Sequence, residues 1–108
     1  MDKRFSGGWR IEEMEVCDGN DLDLLGPAKF TFDGDGLGSF QFVAVVGLID
    51  CQFSERDGKP LVEFSWQGHD DSSDACGRGW AIIQGDGKLR GRIFIHYADN
   101  SAFTAKRD

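Results

Sequence analysis

The sequence predicts an all-β chain, an antiparallel up-and-down meander of about eight short strands that closes into a barrel. Three observations predict it. Apolar residues recur with a period of two along most of the 108 residues, the pattern of half-buried strands. Asp-Gly pairs at Asp33-Gly34, Asp35-Gly36, Asp57-Gly58 and Asp86-Gly87 separate these runs, and that pair favours tight hairpins. No segment sustains a helical period: the best candidate, Ile11 to Val16, is broken by Cys17-Asp18-Gly19-Asn20 before a second apolar turn.

The first strand is expected over 9–17. The second, 28–33, alternates Phe30 and Phe32 with Lys29 and Thr31, and the third, 38–45, alternates Phe40 and Phe42 with Ser39 and Gln41. The fourth is expected over 47–55. A straight strand through 38–55 would reach ~60 Å at ~3.3 Å per residue, too long for a small domain. A bend is therefore placed near Val45-Val46-Gly47, where glycine can turn the chain. The fifth strand, 61–67, sets Val62, Phe64 and Trp66 against Glu63, Ser65 and Gln67. The sixth is expected over 78–84. In the seventh, 89–98, Leu89, Ile93, Ile95 and Tyr97 share a face opposite Arg90, Arg92 and His96. The eighth covers 103–107.

Length is consistent with one domain over residues 1–108. With 40% hydrophobic and 12% aromatic residues the chain is too apolar for disorder. A formal charge of −7 argues against nucleic acid as a partner, which needs a basic face to replace counterions. The longest apolar run, Phe42 to Ile49, falls far short of the ~20 residues of a membrane-spanning helix, so no membrane role is expected. The first residues carry no secretory signal pattern. Cys17, Cys51 and Cys76 are odd in number and lack CxxC spacing; they read as reduced thiols of a cytoplasmic protein, filling core rather than attacking substrate. The 15 glycines and 14 aspartates read mainly as turn residues.

Gly7-Gly8-Trp9 opens the first strand and Lys106-Arg107 closes the last. This resembles the calycin superfamily, the lipocalin and avidin type of barrel, in which a Gly-x-Trp begins the first strand and a basic residue of the last strand packs on the Trp. The resemblance implies that Gly7, Trp9 and Arg107 (or Lys106) close one end of the barrel, with a guanidinium over the indole. It implies no particular ligand: Arg10-Ile11-Glu12-Glu13 lacks the polar pattern with which avidins hold biotin, and the lipocalin helix and Thr-Asp-Tyr motif are missing.

Strand parity places the Asp-Gly turns at the same end as Gly7 and Arg107. Links 18–27, the bend near 46, 68–77 and 98–102 gather at the other end as an open mouth. Barrel mouths are common ligand sites. The candidate ligand-binding residues there are Trp66 and Trp80 as stacking surface, Arg78 and His96 as polar anchors, and His69, Asp70 and Asp99 beside them. The bland reading is a solvated acidic loop, core tryptophans and an Arg paired with a carboxylate. No catalytic residue is assigned: His96, Asp99 and Ser101 lie too close in sequence to be read as a triad, and no nucleophile elbow is present. No metal is assigned either. Calcium-loop spacing fails from both Asp18 and Asp21, and His69, Cys76 and His96 would converge on zinc only through tertiary accident. No cofactor is expected.

Two functions follow as expectations. In the first, the barrel binds a small molecule at its mouth. In the second, its nine Phe fill the interior and the protein acts through a partner or as a homodimer. Interior volume separates them.

Overall fold

The computed structural model describes residues 3–15 and 19–108. Eight strands follow one another: β1 (Gly7–Met14), β2 (Lys29–Phe32), β3 (Leu37–Phe42), β4 (Val45–Arg56), β5 (Lys59–Asp70), β6 (Ser73–Ile83), β7 (Leu89–Ile95) and β8 (Asn100–Arg107). Each pairs antiparallel with its neighbours in sequence, and β1 pairs with β8, so the sheet is a closed up-and-down barrel. Closure leaves no unpaired edge along the sheet. One helical turn, α1 (Gly19–Leu22), lies in the β1–β2 link. The end of the first strand expected at 16–17, including Cys17, lies outside the described residues. Among the described residues no helix is long and apolar enough to cross a membrane.

Alternation of burial shows which side chains enter the barrel. Trp9, Phe30, Phe32, Phe40, Phe42, Ile49, Phe64, Trp66, Ile93 and Phe103 are all buried. Phe30 sits at the centre, with ring centroids 4.8 Å from Phe103, 5.4 Å from Phe40 and 5.9 Å from Phe64. Rings from β2, β3, β5 and β8 therefore meet around it. The middle of the barrel is packed with aromatic side chains rather than hollow.

The break in the long apolar stretch is a two-residue turn at Val43-Ala44, not a bend at Val45-Val46-Gly47. The turn forces Val43 to φ +50°, a conformation rare for a β-branched residue. Gly47 lies inside β4 for a different reason: a Cβ there would meet the Phe40 ring at 2.5 Å and Trp66 at 2.9 Å. Gly38, Gly68, Gly77, Gly79 and Gly91 repeat this, each with a neighbouring carbonyl or ring within 3 Å of where a Cβ would stand. All of them occupy strand positions where the curved sheet closes on itself, the use of glycine as a device of barrel curvature. The glycine content thus divides between turns and tightly curved strands, and the reading of it as mainly turn chemistry is corrected.

The expected loop 68–77 is also corrected. β5 continues to Asp70 and β6 begins at Ser73, leaving Asp71-Ser72 as a two-residue turn, with Asp71 at φ +56°. These strands of 11 and 12 residues lengthen the molecule to 38 Å along one axis against 24 and 22 Å across.

Candidate functional site

Chain parity sorts the turns into two ends. At the first end are the hairpins around Asp33–Gly36, Asp57-Gly58 and Gln84–Lys88, with Gly7 and the end of β8. There the Arg107 guanidinium lies 4.0 Å from the Trp9 ring, and its two terminal nitrogens donate to Ser6 O (2.7 Å) and Arg4 O (2.5 Å). Trp9 Nε1 donates to Phe5 O at 2.9 Å. Gly7 stands at φ +104°, with the Arg107 guanidinium 3.8 Å from where its Cβ would be. The basic residue over the indole is Arg107 and not Lys106, because odd positions of β8 point inward. That end is plugged.

The other end is built from short turns tied to one another. Val43 N donates to Leu22 O at 2.8 Å, and Asp71 N donates to Ala44 O at 2.9 Å. His96 N donates to Cys76 O at 2.8 Å, which draws the β7–β8 turn against β6. Val43, Asp71 and Tyr97 each hold positive φ here, Tyr97 at +62°. Strained backbone is kept where surrounding bonds over-determine it.

These ties frame an open groove of about 890 Å³. It lies on the outer wall of β4, β5 and β6, not inside the barrel. Register explains its lining. On the outward face, Val46 pairs with His69 and His69 with Asp74 in one row. Leu48 pairs with Gln67 and Gln67 with Cys76 in the next. Gly47, Gly68 and Ala75 form the cross-strand row between them and face the interior, so backbone forms the floor of the groove there. His96 and Tyr97 border the groove from the β7–β8 turn, their rings 4.0 Å apart.

Both histidines named from the sequence therefore meet in one groove. His69 Nδ1 lies 3.1 Å from Asp71 O. A carbonyl oxygen only accepts, so the neutral ring carries its proton on Nδ1 and leaves Nε2 as an acceptor. The remaining sequence candidates separate. Trp66 is buried among the core rings, edge-to-face with Phe40 at 5.0 Å, and its Nε1 donates to Phe94 O at 3.1 Å. It offers no stacking surface. Arg78 and Trp80 continue outward along β6 beyond the groove: Arg78 covers the Phe94 ring at 4.8 Å, and Arg56 lies 5.9 Å from Trp80. Asp70 ends β5, and Asp99 accepts from Ile95 N at 3.0 Å through its carbonyl. Both are exposed at the same end without lining the groove.

Val46, Leu48 and Gln67 were not expected at the site, and Tyr97, expected on the face of Leu89, Ile93 and Ile95 in a strand to 98, instead lies beyond the end of β7 in a turn and is 97% exposed. Leu48 carried a usable signal: once the strand starts at Val45, it is an apolar residue on an outward position, and it is 65% exposed. Cys76 is exposed in the groove, whereas Cys51 is buried, and burial together with Asp50 and Asp33 pushes its thiol up to about 11. Among the described residues no three His, Cys, Asp or Glu side chains converge as a metal site. Comparison of the chain with family models, curated proteins and solved structures finds no match.

Proposed function

We propose that this protein is a small-molecule binding module of calycin-like type that seats its ligand in the outer groove at the end opposite the plug rather than inside the barrel. The observation that carries this reading is a groove of about 890 Å³ bordered by His69 and His96, beside an interior occupied by aromatic rings. Pockets of a few hundred to ~1,000 Å³ with an apolar wall and a few polar groups are the usual form of small-ligand sites. Support for the calycin-like assignment comes from the Gly7, Trp9 and Arg107 arrangement at the plugged end.

A second reading is favoured by Leu48 and Leu37, 65% and 49% exposed on adjacent strands of the outer wall. Here the wall self-associates into a homodimer. Native mass spectrometry of the purified protein separates the two. The binding reading expects a monomer with an adduct that disappears on denaturation and on Gln67→Trp, which fills the groove from an exposed position. An adduct-free dimer that Leu48→Arg dissociates would replace the binding reading with the second.

A further inference from the structure

Resting on that groove, we infer that its ligand is an organic cation: a protonated amine carried on an apolar, preferably aromatic, body. The groove's inventory of charged and polar groups decides the sign. Asp74 lines it, exposed, with its carboxylate in no hydrogen bond or ion pair among the described residues. Among the described residues no Lys or Arg lines it, although the chain holds 12. The nearest guanidinium along β6, that of Arg78, is directed onto Phe94. An anion entering the groove would meet an uncompensated carboxylate and find no fixed cation to hold it.

A cation meets the opposite arrangement. His69 Nδ1 lies 3.1 Å from Asp71 O, a contact that in the neutral imidazole leaves Nε2 as the nitrogen able to accept from an ammonium N–H. The Asp74 carboxylate supplies the counter-charge from the strand paired with His69. Tyr97, 97% exposed, stands on the rim in a turn conformation rare for a bulky residue, and an aromatic face attracts an ammonium group. Val46 and Leu48 offer apolar wall for the rest of the ligand. Asp70, Asp71 and Asp99 surround the same end and deepen the negative field that draws cations in. A metal cation fits less well, because the donor groups do not converge.

Three probes of one shape and three charges test this on the intact, isotopically labelled protein: 2-phenylethylamine, 2-phenylethanol and 3-phenylpropionate. The inference expects the amine alone to shift, saturably, the amide resonances of Val46, Gln67, His69, Asp74 and Cys76. Asp74→Asn should weaken that binding about fivefold, the scale of one exposed charge pair, and added salt should weaken it in wild type far more than in the variant. If the alcohol or the carboxylate saturates the same resonances as tightly, or Asp74→Asn leaves the amine unaffected, the cation assignment falls while the groove remains a binding site. If none of the three shifts the groove, the cation assignment falls, and absence of an adduct in native spectra removes the binding reading separately.

Discussion

At the scale of single residues, burial sets Cys51 apart. It faces the core from β4, 7% exposed, and burial, Asp50 and Asp33 all disfavour its thiolate, raising the thiol from 9.0 to about 11. Only the thiolate is a nucleophile, so Cys51 should resist alkylation at pH 8 while Cys76 reacts, and unfolding in denaturant should expose Cys51. Mass spectrometry of iodoacetamide-treated Cys17→Ser protein checks this. Stability follows from the same shift. Because the folded-state pKa is raised, the unfolded chain releases this proton first as pH rises. The contribution of Cys51 is fully present below pH 9 and is lost between about 9 and 11. Urea midpoints should therefore fall more steeply over that interval in wild type than in Cys51→Ala. Equal slopes would show that the thiol titrates alike in both states.

At the scale of elements, the strands were legible because their inward residues are large. Phe30, Phe32, Phe40, Phe42, Val62, Phe64 and Trp66 alternate with polar partners and leave a plain period of two. Legibility failed where the inward positions shrink. From 68 to 77 the inward residues include Gly68, Ala75 and Gly77, while His69, Asp74 and Cys76 face outward; a strand with small residues inside and polar ones outside looks like a loop. The same blind spot moved the break from Val43-Ala44 to Gly47, since a glycine demanded by Phe40 and Trp66 is indistinguishable in sequence from one demanded by a turn. The groove was hidden for a related reason: its lining comes from three strands whose register only the folded sheet provides, so His69, Cys76 and His96 stood out as chemistry without the wall that joins them. This account predicts two alanine substitutions of unlike cost. Gly47→Ala forces a methyl to within 2.5 Å of the Phe40 ring and should destabilise by about 1–3 kcal/mol, as overpacking does. Gly34→Ala, with nothing within 4 Å and no positive φ, should stay within about 0.5 kcal/mol of wild type, as surface changes do. Urea unfolding of both measures the contrast. Equal effects would mean that the strand glycines are not set by close approach.

At the scale of the whole molecule, charge and interior play separate parts. Among the described residues no Asp or Glu is buried; they lie in the turns and on the outward faces of the strands, so net charge describes the surface and not the fold. What holds the barrel is the aromatic cluster, and Phe30 is where strands from opposite sides of the wall touch. Its ring is 1% exposed and lies within 6.1 Å, centroid to centroid, of Phe32, Phe40, Phe64 and Phe103. Removing it opens a cavity whose neighbours are rings tied into four different strands and cannot collapse inward together. Phe30→Ala should therefore cost about 3–5 kcal/mol, a large share of the roughly 5–15 kcal/mol that stabilises a domain. Such a cavity is apolar and stays dry, able to admit benzene. Benzene should then raise the Tm of Phe30→Ala, by binding only the folded state, and leave wild type unmoved. If Phe30→Ala does not fold, Phe30→Leu opens a smaller void on a milder background, and its midpoint in urea can be read directly. A wild-type barrel stabilised by benzene as much as the variant would show that space already exists among the rings, and the ligand would then belong inside the barrel rather than on its wall.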